Sequence, residues 1–371
     1  MAGKKTIKNA DLLNSIQKGA SAEYQARIPK AASETGIEVY NALNDYPTLK
    51  NEFIDTLTNK VIKSRFYSKA FDNKLKMFHK GEIPFGSSIE QLFVEMAEKK
   101  GFREHFTADG GSVENDLIGV QKPKVHAKYI TKNFEYKYKV TISEEQLRTA
   151  FMNSTGLGEL VSQILMSLTN GCYYDEFEDI KALMKNVCAG KKLVIDELTG
   201  KHKSVDLTKA DVEQGIYVES VGDAIANPKL LSEKVRALTG RLGFASEKYN
   251  MAGVKQWSNA SDMVLVTTPE ILATLDVNVL ADAFNVSKAE MNVRTIMIDE
   301  LPTQFKSNIE GVAEEKECFG LLMDKDFLQI YDTIMTMRKF DNGANLTVNH
   351  FLHKQGMLAN CYFVNAIALV K

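Results

Sequence analysis

The chain reads as an α+β protein carrying an extended two-stranded ribbon, and its patterning supports this at three places. Residues 133–142 alternate strictly, with Phe134, Tyr136, Tyr138, Val140 and Ile142 interleaved by Asn133, Glu135, Lys137, Lys139 and Thr141. That is the period of a strand with one wet and one dry face. Between Leu157 and Val187 the apolar positions recur at steps of three and four instead, the signature of one long amphipathic helix. Beyond Gly190 helical and strand-like segments alternate.

The 371 residues are enough for about two domains or one elaborated one. With 44% hydrophobic and 25% charged residues, the composition is that of an ordinary soluble globular chain. A formal charge of −2 argues against a dedicated nucleic-acid binder, which normally shows a basic face or stripe. It does not exclude a protein that encloses nucleic acid without gripping it. The four cysteines, Cys172, Cys188, Cys318 and Cys361, are scattered without a CxxC pair, so reduced, buried thiols are expected rather than a zinc site or disulfide framework. The start Met1-Ala2-Gly3-Lys4-Lys5 has no apolar run behind it, and no stretch reaches the ~20 apolar residues of a membrane helix. A soluble protein made in the cytosol is expected.

Taken in order, residues 1 to 60 are mostly polar with short apolar marks, broken by Pro29 and Pro47. They read as an extended arm with short helical pieces, the last of them from Leu49 to Ile62. From Leu75 to Ile142 the chain reads as an arm with no core of its own. Lys80-Gly81-Glu82-Ile83-Pro84-Phe85-Gly86 opens it with glycine and proline punctuation, and Ser88 to Met96 is extended or half-buried. A polar tip lies at Lys99 to Gly119, and the return leg is the alternating run ending at Ile142. A two-stranded ribbon alone is marginal in water, so its dry face needs the body of the chain or a neighbouring subunit.

Ser143-Glu144-Glu145-Gln146 is a capping box opening a short helix through Phe151. Ser154 or Thr155 caps the long helix, which Gly190 stops; about thirty residues make it ~45 Å long. Asn227-Pro228 opens a further helix with Leu230, Leu231, Val235, Leu238 and Leu242 inward. Met263 to Val266 is a short buried strand, and Thr268-Pro269 caps the next helix. Val293–Ile298, Phe319–Met323, Phe327–Tyr331 and Tyr362–Val370 are strand candidates.

Nothing in the chain meets the needs of catalysis. His350 and His353 stand at i, i+3, which would place two imidazoles on one helix face, but no third metal ligand is nearby. Asp324-Lys325-Asp326 reads as a polar turn rather than a Mg²⁺ site, and Asp175, Glu176, Glu178 and Asp179 as a solvated helix face or a patch meeting a basic neighbour. Gly156-Leu157-Gly158 lacks the third glycine of a dinucleotide fingerprint. Trp257, in a polar loop, is either an interface anchor or a packing residue. No cofactor is expected, and no catalytic, cofactor-binding or metal residues are assigned.

Several segments, in order, resemble the major capsid proteins of phi-29-like podophages, which share the HK-97-type capsid fold of tailed phages. The likeness begins near Asp55 and is sharp from Leu75-Lys76 through Lys80 to Gly86 and Ile89-Glu90. It continues at Leu147 to Phe151 and along the helix to Asp175-Glu176-Phe177. It returns at Asp276 to Asn285, at Asp324 to Phe327 with Tyr331-Asp332, and at Phe363 to Ala368. The resemblance implies an N-terminal arm and start of a peripheral domain over 1–74, and an E-loop over 75–142 that overlaps the adjacent subunit. It implies a peripheral domain with the spine helix over 143–194, an axial domain over 195–344, and closing strands returning to the peripheral domain over 345–371. The expected inter-subunit contact residues are Lys80, Gly81, Ile83, Pro84, Gly86, Phe134, Tyr136 and Tyr138.

The implied function is a structural, non-enzymatic shell subunit. It would form pentamers and hexamers of an icosahedral or prolate phage head around double-stranded DNA, assembled in the host bacterial cytoplasm. Implied partners are further copies of itself, a separate scaffolding protein, the portal or connector, and DNA through weak non-specific contact, with no membrane. Neither a C-terminal immunoglobulin-like domain nor a cleaved N-terminal scaffolding region is expected. The rivals are an encapsulin-like compartment holding protein cargo, and an α/β enzyme using the 195–340 region.

Overall fold

The computed structural model describes residues 8–46, 48–50, 52–53, 56–57, 71–97, 99, 122–151, 156–196, 198–223, 228–273 and 293–371. The ribbon tip at 100–119, the segment 276–285, and the caps at Asn227, Ser154 and Thr155 lie outside these residues. The chain divides into two compact units: Met1–Asn73, Glu135–Phe177 and Ile334–Gln355 form the first, and Lys74–Phe134, Glu178–Thr333 and Gly356–Lys371 the second.

The first unit begins with three helices, α1 (Asn9–Gly19), α2 (Ala22–Arg27) and α3 (Ile37–Asp45). Ser21 caps α2 by accepting from the Tyr24 N–H at 3.2 Å. Residues 48–50, 52–53 and 56–57 are helical too. The expectation of an extended arm is corrected here: Leu13, Ile16, Tyr24, Ile28, Leu43 and Phe53 close into one core with Phe151. The apolar marks are sparse, but enough of them point inward for a small helical cluster. The capping box forms as read at α4 (Glu144–Ala150), where the Ser143 N–H donates to Gln146 Oε1 at 3.1 Å and the Gln146 N–H to Ser143 Oγ at 3.3 Å.

The long helix is α5 (Gly156–Cys188), 33 residues or ~50 Å. Against Leu168 and Cys172 of α5 pack Tyr138, Val140 and Ile142 of β4 (Phe134–Ser143), with Leu352 of β14 (Thr347–Asn360). A four-stranded sheet runs in the order β1-β13-β14-β4, with β1 at His79–Glu82 and β13 at Leu328–Asn342.

The centre of the second unit is a five-stranded sheet in the order β7-β15-β12-β8-β9. These strands are β7 (Tyr217–Ser220), β15 (Ala366–Val370), β12 (Cys318–Asp324), β8 (Met263–Thr267) and β9 (Arg294–Met297). Both β8 and β15 are buried at every position, as continuous apolar runs in a doubly covered sheet should be. Leu231, Val235, Leu238 and Leu242 of α6 (Pro228–Leu242) pack with Leu265, Leu322 and Ile367 of this sheet. The closing strand β15 lies between β7 and β12 in this sheet, parallel to β7 and antiparallel to β12. It starts later than read, because Tyr362–Val364 form a turn.

Three small two-stranded pieces complete the second unit. They are β2 (Ile89–Val94) with β3 (Val125–Ile130), β5 (Lys191–Ile195) with β6 (His202–Asp206), and β10 (Gln304–Phe305) with β11 (Glu314–Glu315).

Candidate assembly surface

The ribbon exists, but its legs are β2 and β3, paired antiparallel from Ile89↔Ile130 to Val94↔Val125. The expectation that 133–142 forms its return leg is corrected. That run is β4, the sheet neighbour of β14, and its dry face is spent on α5 of the same chain. The alternation was read correctly; the strand that pairs with it lies some two hundred residues away, and no local signal identifies it.

One face of the β2–β3 ribbon packs within the chain, and the other is largely apolar and exposed. On one, Ile89 and Ile130 pack on Met357 and Ala359, while Phe93 joins Val254, Cys361 and Phe363, stacking on the Phe363 ring at 5.9 Å between centroids. The opposite face carries Leu92 (56% exposed), Val94 (55%), Val125 (52%) and Tyr129 (66%), all turned to solvent. Leu92 stands opposite Ala127, and Val94 opposite Val125, so these side chains form one continuous strip. Met96 and Phe85 are exposed as well. The strip escaped the reading because Leu92-Phe93-Val94 is apolar at every position, which hides a second dry face. A contiguous exposed apolar patch on an ordered element marks a contact surface.

Polar contacts hold the ribbon and the turn before it. His126 Nε2 lies 2.7 Å from Glu95 Oε1; that contact, with Lys124 adding to it, holds the Glu95 carboxyl below its ordinary range. The Tyr129 hydroxyl donates to Glu90 Oε1 at 2.5 Å. Lys128 Nζ donates to the Asn360 carbonyl at 2.7 Å and sits 3.5 Å from the centroid of the Tyr362 ring. Burial lowers its pKa to about 7.

The expected contact residues divide. Lys80 is engaged within its own chain, donating to Asp326 Oδ1 at 2.6 Å and to the Lys325 carbonyl at 2.9 Å. The Ile83 N–H donates to Asp332 O at 2.8 Å, extending the β1–β13 pairing. Gly81 and Gly86 hold φ of +119° and +82°, conformations that favour glycine, and between them Pro84 and Phe85 are exposed. Phe134 is buried in its own chain, and Tyr136 and Tyr138 are half-buried, Tyr138 in the cluster with α5. Phe134 is buried within its own chain, which leaves its side chain no surface for the expected contact.

Other sequence readings change as well. His350 and His353 lie on β14, a strand, so i, i+3 puts them on opposite faces, and they do not form a ligand pair. Glu176 and Asp179 are buried rather than solvated. Asp179 Oδ1 lies 2.7 Å from His202 Nε2, and Glu176 meets a buried lysine of its own unit. Asp324-Lys325-Asp326 is a polar turn as read, with the Asp326 N–H donating to Asp324 Oδ1 at 3.0 Å. Trp257 is about half exposed. All four cysteines are free thiols. Among the described residues no helix is long and apolar enough to cross a membrane.

An α+β chain with a two-stranded ribbon matches solved phage capsid chains. A chain of the capsid of Staphylococcus phage Andhra superposes with a TM-score of 0.55 at 15% identity, over 81% of this chain and 85% of that one. A chain of the cyanophage P-SCSP1u capsid gives 0.50 at 13% identity, over 79% and 86%. At these identities the likeness shows the fold, which is that of HK97-type phage capsid proteins. Among proteins of known role, the major capsid protein of Bacillus phage GA-1 is 29% identical over 87% of this chain and 61% of its own length. That of Streptococcus phage Cp-1 is 28% identical over 97% and 94%. The sequence profile of the Phi29-like phage major capsid proteins matches residues 13–370. The chain belongs to that family.

Proposed function

We propose that this chain assembles through its β2–β3 ribbon into the pentamers and hexamers of a closed phage head, icosahedral or prolate, that encloses double-stranded DNA. The observation that carries the reading is the strip of Leu92, Val94, Val125 and Tyr129, exposed on an ordered ribbon whose other face is already packed. Such a strip is stabilised when a second copy covers it, and many modest contacts sum to a stable shell. The ribbon would be the E-loop, and the exposed turn at Pro84–Gly86 a further contact. Helix α5 would be the spine of a peripheral domain, and the five-stranded sheet the core of the axial domain.

The role is structural, without catalysis. A charge of −2 suits an inner wall that meets DNA weakly and without sequence preference. Further partners would be a separate scaffolding protein and the portal, with assembly in the host cytoplasm. Electron microscopy of the expressed protein, alone and with a scaffolding partner, tests this. Closed shells are expected; a compact monomer under every condition would refute the proposal.

A further inference from the structure

Away from α5, the sheet of β4, β14 and β13 has an outer face. The Thr141 hydroxyl donates to Asn349 Oδ1 at 2.6 Å, and Gln355 Nε2 to Glu135 Oε1 at 2.6 Å. These two contacts set β4 antiparallel to β14, with Lys137 and Lys139 opposite His353 and Phe351. Lys139 Nζ accordingly lies 5.8 Å from the centroid of the Phe351 ring. On β13, Met335 and Met337 pack in the cluster with α5, so strand alternation turns Arg338 to the outer face. Lys137, Lys139 and Arg338 are exposed, and none of them forms an ion pair among the described residues. The neighbouring carboxylates leave them so: Glu135 accepts from Gln355, and Asp341 stands exposed near the end of β13.

Like charges on one sheet face repel, and an acidic partner relieves that cost. The sequence supplies one. Residues 104–121, which lie between β2 and β3, contain Glu104, Asp109, Glu114 and Asp116 and neither lysine nor arginine. The segment continues from the ribbon's paired ends, Val94 and Val125, and hence from the exposed strip that a second copy would cover. Where a neighbour covers the strip, the acidic segment is delivered to that neighbour. The complementarity is of charge rather than of apolar area, so it is weakened by salt where the strip itself is not.

We propose that the outer face carrying Lys137, Lys139 and Arg338 receives the acidic 104–121 segment of a second copy of the chain. The proposal rests on the shell reading given above. A charge exchange tests it, with assembly followed by sedimentation as a function of protein concentration. Lys137→Glu with Lys139→Glu, and separately Glu114→Lys with Asp116→Lys, should each raise the concentration needed for assembly about tenfold, the sum of a few exposed ion pairs. All four substitutions in one chain should bring it back toward the parental value, because each face then meets a segment of opposite charge. Melting of the unassembled Lys137→Glu, Lys139→Glu subunit should be unchanged, since both positions are exposed. Carbodiimide coupling of particles assembled from mixed ¹⁴N- and ¹⁵N-labelled parental chains should give mixed-isotope links from Lys137 or Lys139 to the carboxylates of 104–121. Links within one chain only, or no recovery in the four-site variant, would overturn the proposal. Parental assembly of the Lys137→Glu, Lys139→Glu protein with loss of nucleic acid from its particles would overturn it too, and assign the face to DNA. Each of these results leaves the shell reading standing, whereas failure of the parent to form particles would overturn both.

Discussion

Lys354 Nζ lies 2.7 Å from Glu176 Oε2, with both side chains only 2% exposed. The second carboxylate oxygen accepts from Asn73 Nδ2 at 3.0 Å, so the buried pair is held from β14, α5 and the segment before β1. A buried ion pair loses hydration on both sides, and its worth lies in neither partner being left alone. Lys354→Met or Glu176→Leu should each cost about 3–5 kcal/mol in urea unfolding, whereas the double substitution should recover most of that loss. Equal, additive losses would show that the two groups do not act as a pair.

Gly356 sits where the chain crosses beneath Phe134. A Cβ built there would lie 2.2 Å from Tyr331 O and 2.5 Å from Phe134 Cζ. Gly356→Ala should cost about 2–3 kcal/mol, the scale of overpacking a filled core, and a fall in melting temperature would report it. Combining it with Phe134→Leu, which frees space at the ring, should return part of the loss. No recovery would place the strain on the Tyr331 carbonyl instead.

Glu38 contributes to the acid response of the N-terminal helices. Burial pushes its carboxyl up, but hydrogen bonds from the Ser33 hydroxyl, the Ser33 N–H and the Ala32 N–H outweigh it and bring the pKa down to about 2. The two N–H groups donate to Oε1 at 2.9 and 2.6 Å. Because the folded value is depressed, this stabilisation is complete above about 4.5, the unfolded value, and is lost as the pH falls toward about 2. Glu38→Gln should lower stability at pH 7 by about 1–2 kcal/mol and flatten the pH dependence below 4.5. Parallel pH profiles for parent and variant would count against the assignment.

Local chemistry was legible in the sequence wherever it could be satisfied locally. The Ser143–Gln146 capping box, the three-and-four spacing of α5 and the alternation of 134–142 each specify an element through its near neighbours. Pairing across the chain was not legible. Nothing in the run from Phe134 to Ile142 announces β14 as its neighbour, and β15 gives no sign that it sits between β7 and β12. Glu176 and Asp179 looked solvated because four acids in five positions suggest a wet face; Lys354 and His202, which account for their burial, are remote in sequence. The exposed strip on β2 and β3 was not legible either, since Leu92-Phe93-Val94 masks the alternation that separates its exposed side chains from its buried ones.

If the exposed strip is the proposed contact surface, assembly should be sensitive to charge at positions that do not support the subunit itself. Leu92→Glu and Val125→Glu each place a carboxylate where solvent already reaches, so an unassembled subunit should keep its melting temperature within about 0.5 kcal/mol of stability. In a shell the same carboxylate would be buried against an apolar neighbour without a partner, at a cost of several kcal/mol per contact.

Sedimentation velocity of the Leu92→Glu, Val125→Glu protein beside its parent, under conditions where the parent forms shells, tests the central claim most directly. A folded variant that remains at the sedimentation coefficient of unassembled subunits is the predicted result. A variant boundary at the position of the parental shells would contradict the ribbon's role.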